Sequence, residues 1–194
     1  MPLGANKAAI MGVAGVSTDN IVLLQTQTFT DETTVSFTSG IDSTYPLYIF
    51  KFYNVHNDTD ARTFQVNFST DSGSSYAATK TSTLFRSYHN ENGAAAGLGY
   101  IGYGLSQSTA VQYLNLDISS DADHAHVGEL RLWNPASATY VKHFQFIGND
   151  PHYADITMNT YVGGYCNETD EVDAVQFSMV EGTFDCKIKL WGVK

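Results

Sequence analysis

Residues Asp173–Lys194 read DAVQFSMVEGTFDCKIKLWGVK. Val175, Phe177 and Met179 alternate with Gln176 and Ser178. After Glu181-Gly182 the alternation resumes. Phe184, Cys186, Ile188 and Leu190 fall on one side, and Asp185, Lys187 and Lys189 on the other. Successive side chains of a strand point to opposite faces, so each run has an apolar and a polar face. Two such runs around a glycine-containing turn predict a β-hairpin, with its last strand inside the sheet. An all-β domain is the fold class this stretch implies.

Working outward, the same signals recur. Ile21–Phe29 is rich in β-branched residues, and Val35 and Phe37 share one side of a short second strand. Tyr48–Val55 is apolar on nearly both faces, which predicts a central strand. Phe64, Val66 and Phe68 alternate with Gln65, Asn67 and Ser69. Thr79–Tyr88, Val111–Ile118, Val127–Trp133, Tyr140–Ile147 and Ile156–Val162 complete the set, with Gly148-Asn149-Asp150-Pro151 read as a turn. About ten short strands with turn signals between them predict an antiparallel β-sandwich of jelly-roll type. No run has the length and period of a three-turn helix, so parallel α/β architectures are excluded. His89–Ala110, with five glycines and the alanine run Ala94–Ala96, reads as a long functional loop. Residues 1–20 differ: Ala, Gly, Met and Val mix without alternation, with one helical turn expected near Lys7–Met11. The expected organisation is an N-terminal arm, 1–20, and a single β-domain, 21–194.

Bulk properties narrow the partners. The 194 residues are 43% hydrophobic and 13% aromatic, ample for one core. Charged residues are only 15%, against roughly 25% in ordinary domains, so Ser, Thr, Asn, Gln and Gly must clothe the surface. A net charge of −10 with scattered basic residues argues against nucleic acid and anionic membrane, both of which need Lys or Arg to meet phosphates. The stretch Ala8–Val16 is too short and glycine-rich for a membrane span or an export signal. Cys166 and Cys186 form no disulfide framework or zinc motif, and a bridge between them would require neighbouring strands.

Candidate chemistry is sparse. Asp121-Ala122-Asp123-His124-Ala125-His126 is the densest set of metal-ligating types. Asn57-Asp58-Thr59-Asp60 and Asn167–Asp173 are acidic loops of similar kind. All three read more simply as solvated turns. His143 reads as a packing residue, and no Ser lies in a nucleophile elbow. Tyr100, Tyr103, Trp133 and Trp191 are the nominees for stacking on sugar rings. No residue is assigned a catalytic, cofactor or metal role.

Several segments together carry a resemblance: Leu3–Lys7, Ile41–Tyr45, Tyr48–His56, Leu132–Pro135, Tyr140–Phe144 and Lys187–Lys194. They resemble small virion structural proteins of marine tailed bacteriophages. That resemblance implies a non-enzymatic particle component assembled in the host cytoplasm, a capsid decoration or tail-associated domain. Its implied partners are other virion proteins and further copies of itself, a homotrimer foremost. The alternative expectation is a receptor-binding module for host surface glycans.

Overall fold

The computed structural model describes residues 20–194. The arm expected at 1–20, with its helical turn, lies outside the described residues except for Asn20. The described chain forms twelve strands and no helix. They are β1 (Ile21–Glu32), β2 (Thr34–Phe37), β3 (Leu47–Asn57), β4 (Arg62–Ser69), β5 (Lys80–Asn90) and β6 (Ala96–Tyr100). The second half comprises β7 (Gln112–Ile118), β8 (His126–Trp133), β9 (Lys142–His152), β10 (Ile156–Cys166), β11 (Ala174–Met179) and β12 (Phe184–Val193). Every pairing is antiparallel. The all-β expectation holds, with twelve strands where about ten were expected.

The pairing divides into two parts. β1-β12-β3-β8-β9-β10-β5-β6 runs as one broad sheet, and β7-β4-β11-β2 as a narrow one. A single ladder pair, Ile118 with His152, joins them. The path thus folds back on itself and is nearly closed, in the manner of a barrel.

The predicted terminal hairpin does not form. β11 pairs with β2 and β4, whereas β12 pairs with β1 and β3. Residues 180–183 are therefore an arch from the narrow sheet to the broad one. The arch is held by bonds that a hairpin turn would have made within itself. Val180 N–H donates to Thr63 O at 3.0 Å, and the Asp58 carboxylate accepts from Thr183 N–H and Oγ1 at 3.0 Å each. Gly182 takes φ +78° there, a value that favours glycine. The expectation that the final strand lies inside the sheet is met, since β12 sits between β1 and β3.

Two other local readings change. The segment 89–110 is not one irregular loop: β5 extends to Asn90 and pairs with β6, Phe85 opposite Tyr100 and His89 opposite Ala96. The run Gly148–Pro151 is strand, not turn, and β9 continues to His152. Pro151 is tolerated because of its position. Its carbonyl accepts from Ser119 N–H on the side away from β10, its nitrogen shares that side, and the β8 ladder has already ended at Asn149.

The core lies between the two parts and is dominated by phenylalanine. Phe52 of the broad sheet, with Phe146 beside it at 6.1 Å, meets Phe64 and Phe177 of the narrow one. The ring centroids are 5.4 Å apart for Phe52–Phe64 and 4.9 Å for Phe52–Phe177. Edge-to-face pairs of this kind add about 0.5–1.5 kcal/mol each beyond the area they bury. β9 shows strict alternation, with Lys142, Phe144, Phe146, Gly148 and Asp150 buried and His143, Gln145, Ile147 and Asn149 exposed. That strand fixes which face of the broad sheet is core and which is open.

Candidate functional site

The open face of the broad sheet carries the most suggestive surface. Register places its outward residues in rows. One row runs Trp133, His143, Tyr165, Thr81, from β8 through β9 and β10 to β5. The next runs Arg131, Gln145, Gly163, Thr83. Together they form an open cleft of about 600 Å³, lined by Trp133, Asn134, His143, Gln145, Gly163 and Tyr165. Gly163 makes the floor low, since a Cβ there would meet nothing within 4 Å. Trp133 and Tyr165 are the aromatic walls, and His143 and Gln145 offer polar groups. The His143 and Tyr165 rings stand 6.1 Å apart at 65°. An aromatic-walled cleft with a few polar groups can bind a small polar ring, and such sites commonly combine these elements.

One ladder step further the face turns apolar. Ile147, Tyr161, Phe85 and Tyr100 follow one another across β9, β10, β5 and β6. Phe85 and Tyr161 stack at 4.8 Å and 11°. Phe85 is 42% exposed, Ile147 41% and Tyr100 69%, with Leu98 at 73% beside them. Contiguous apolar surface of this kind marks contact sites.

Of the sugar-stacking nominees, only Trp133 lies in the cleft. Tyr103 stands 5.3 Å from Tyr113 beside another hollow. Trp191 lies two strands from the cleft wall, opposite Leu23 and Ile49, and is half-buried. Tyr100 belongs to the apolar row. Sequence reasoning passed over Tyr165 and Gln145 and assigned His143 to packing. His143 is in fact exposed, and its ring contact with Tyr165 is on the open face. The alternation of β9 could have shown its direction; its neighbours on β8 and β10 could not be known without register.

The metal-type clusters do not converge. His126 points away from Asp121, Asp123 and His124 into the core, where its ring lies 5.1 Å from Phe64 and 6.0 Å from Phe146. It is fully buried, neither ring nitrogen has a hydrogen-bond partner, and burial lowers its pKa to about 3. His124 lies 3.8 Å from Asp121 and 4.0 Å from Asp123 on the surface. Among the described residues no three His, Cys, Asp or Glu side chains gather to hold a metal ion. The other acidic loops serve as ties. Asp60 accepts from Ser120 N–H at 2.8 Å, and Asp173 from Ser72 N–H at 3.0 Å. Cys166 and Cys186 are free, buried and on strands that are not neighbours, and burial pushes both thiols up to about 12.

Two polar groupings are instead buried. At the seam between the sheets, Asn115 Nδ2 donates to Asp150 Oδ1, while Asp150 Oδ2 has no partner. Burial raises the Asp150 carboxyl to about 7, against the opposing pull of the Asn115 hydrogen bond and the Arg86 charge. Asp117, half-exposed at the rim, lies 4.0 Å from Arg86 and 3.7 Å from His152. The second grouping is an inward row across three strands, with Lys80 opposite Cys166 and Cys166 opposite Lys142. Both lysines are fully buried.

No protein family, curated protein or solved structure matches the chain.

Proposed function

We propose that this protein is a non-enzymatic virion structural component, a capsid decoration or tail-associated domain that acts through protein–protein contacts. In this reading the two layers form a jelly-roll-like β-sandwich. Further copies of the chain, three foremost, and other virion proteins are its partners. The observation that carries the reading is the apolar row Ile147, Tyr161, Phe85 and Tyr100 on the open face of the broad sheet. A sheet face built to stay in water would present polar side chains in those rows. The low charge content agrees with a surface meant to be covered.

Two measurements test this. Light scattering of the purified chain should give a multiple of the 21.2 kDa protomer mass, and Ile147→Glu should return it to the monomer with unchanged circular dichroism. A chain lacking residues 1–16 should fold yet fail to enter particles. A strictly monomeric protein that is absent from purified particles overturns the reading.

The cleft between Trp133 and Tyr165 favours a second reading, recognition of host surface glycans. Aromatic walls can stack on the C–H faces of a sugar, while His143 and Gln145 meet its hydroxyls. Binding to a glycan array that Trp133→Ala abolishes would favour it; an array without signal would remove it.

A further inference from the structure

Lys80 opens β5 in the broad sheet, and Asn67 lies in β4 of the narrow one. Both are buried, Lys80 at 0% exposure and Asn67 at 6%. Lys80 Nζ donates to Asn67 Oδ1 at 2.5 Å and to the Ala78 carbonyl at 2.7 Å. Both acceptors are neutral. An ammonium buried against neutral partners is costly, and a lysine so placed gives up its proton more readily. Burial brings Lys80 down to about 8, with the nearby Glu168 acting the other way. A desolvated, part-neutral lysine amine is a nucleophile.

The Asn67 carboxamide is held for attack. Its Nδ2 end donates to the carbonyls of Tyr76 and of Thr109, the latter at 3.4 Å, which fixes the amide orientation. Its Oδ1 accepts from the Phe68 backbone N–H at 3.0 Å as well as from Lys80. That backbone donor is aimed at the oxygen on which negative charge would develop. A nitrogen hydrogen-bonded to a carbonyl oxygen stands beside the carbonyl carbon, and proximity of that order is a large part of the barrier to acyl transfer.

We propose that Lys80 and Asn67 are a modification site, at which the lysine amine condenses with the asparagine carboxamide into an intramolecular isopeptide bond between the two sheets. The Nζ lone pair attacks Cγ of Asn67, and the C=O electron pair moves to Oδ1 against the Phe68 N–H. Collapse breaks the Cγ–Nδ2 bond. Nδ2 leaves as ammonia with the proton shed by Nζ. One C–N bond forms and one breaks, so neither oxidant nor cofactor is consumed. Lys142 provides the contrast: equally buried in the same row, its Nζ donates to the Glu168 carbonyl at 2.6 Å and meets no carboxamide. It stays an unmodified lysine.

Intact-mass spectrometry of the full chain under denaturing conditions tests this. The expected mass is below the sequence mass by one ammonia, and digestion should release one branched peptide joining Asn67 to Lys80. Lys80→Met and Asn67→Ala should each restore the full mass, while Lys142→Met should keep the loss. Wild-type protein at full sequence mass after incubation at mildly alkaline pH overturns the proposal, and that result needs no variant to fold. Loss of ammonia without the branched peptide, as a backbone succinimide would produce, overturns it as well.

Discussion

The phenylalanine centre and the β7–β9 seam are both buried, and both join the broad sheet to the narrow one. They are made of opposite materials. The centre packs Phe52, Phe64, Phe146 and Phe177 ring to ring. The seam closes on Asn115, Asp150 and His152, with Asp117 at the rim, around one ladder pair. Burying rings stabilises at any pH, because nothing titrates. Burying a carboxyl that lacks a full set of partners makes the join depend on whether the proton is present. The comparison is sharpened by one intruder: His126 brings a titratable ring into the aromatic centre.

The largest effect is expected in the centre. Phe177→Ala removes a fully buried ring that touches Phe37, Phe50, Phe52 and Phe64 and stands clear of His126. It should cost about 3–5 kcal/mol in chemical denaturation, nearly equally at pH 5 and pH 8. A cost that varied strongly with pH would break the distinction between the regions.

Asp150→Asn comes next. Burial raises the folded carboxyl to about 7 from the ordinary 3.8. Between those values the folded state binds more protons than the unfolded, so this group's contribution is full below about pH 4 and is lost as pH rises through 7. The amide keeps the shape and carries no charge. It should therefore raise stability at pH 8 by a few kcal/mol at most, and change little at pH 4. Equal effects at both pH values would show that the seam is not proton-dependent.

His126→Leu should move in the opposite sense. The folded ring titrates near 3 and the unfolded one near 6.5. Between them the unfolded state binds more protons, so wild-type stability falls as pH drops below 6.5. At pH 5 the leucine variant should be more stable than wild type by about 2 kcal/mol, a gain that shrinks toward pH 7. Asp150 and His126 oppose one another between about pH 4 and 6.5, so the two single variants should tilt the stability profile there in opposite directions. The smallest effect belongs to neither region. His143→Ala, on the open face, should shift thermal unfolding by no more than about 0.5 kcal/mol.

The two regions also differ in how far their residues announce themselves. Alternation in β9 and β12 shows which side chains enter the core, and Phe64, Phe177 and Phe184 are legible in that way. Alternation says nothing about which strand lies alongside, because the period of two is the same for every partner. Val175–Met179 and Phe184–Leu190 therefore look like a hairpin, while the ties that make the arch come from Asp58 and Thr63, more than a hundred residues away. β6 escaped notice for a different reason: Ala96, Gly97 and Gly99 are poor strand formers, and only pairing with β5 makes them one. Trp133 could be nominated as a lone aromatic, but Tyr165 and Gln145 become its neighbours only through register. The same holds for Lys80 and Asn67, which reach one another from separate sheets.

The position of β12 has a consequence for synthesis. β1 and β3 are translated early, but the strand that lies between them arrives only after eight others. Until then the ribosome holds a chain whose first long strands present bare ladder edges and whose Phe50 and Phe52 have no cover on that side. The broad sheet cannot close from its beginning. Chaperones that shield nascent strands would be expected to act on this chain until β12 emerges, and closure of the broad sheet should then come as one cooperative step.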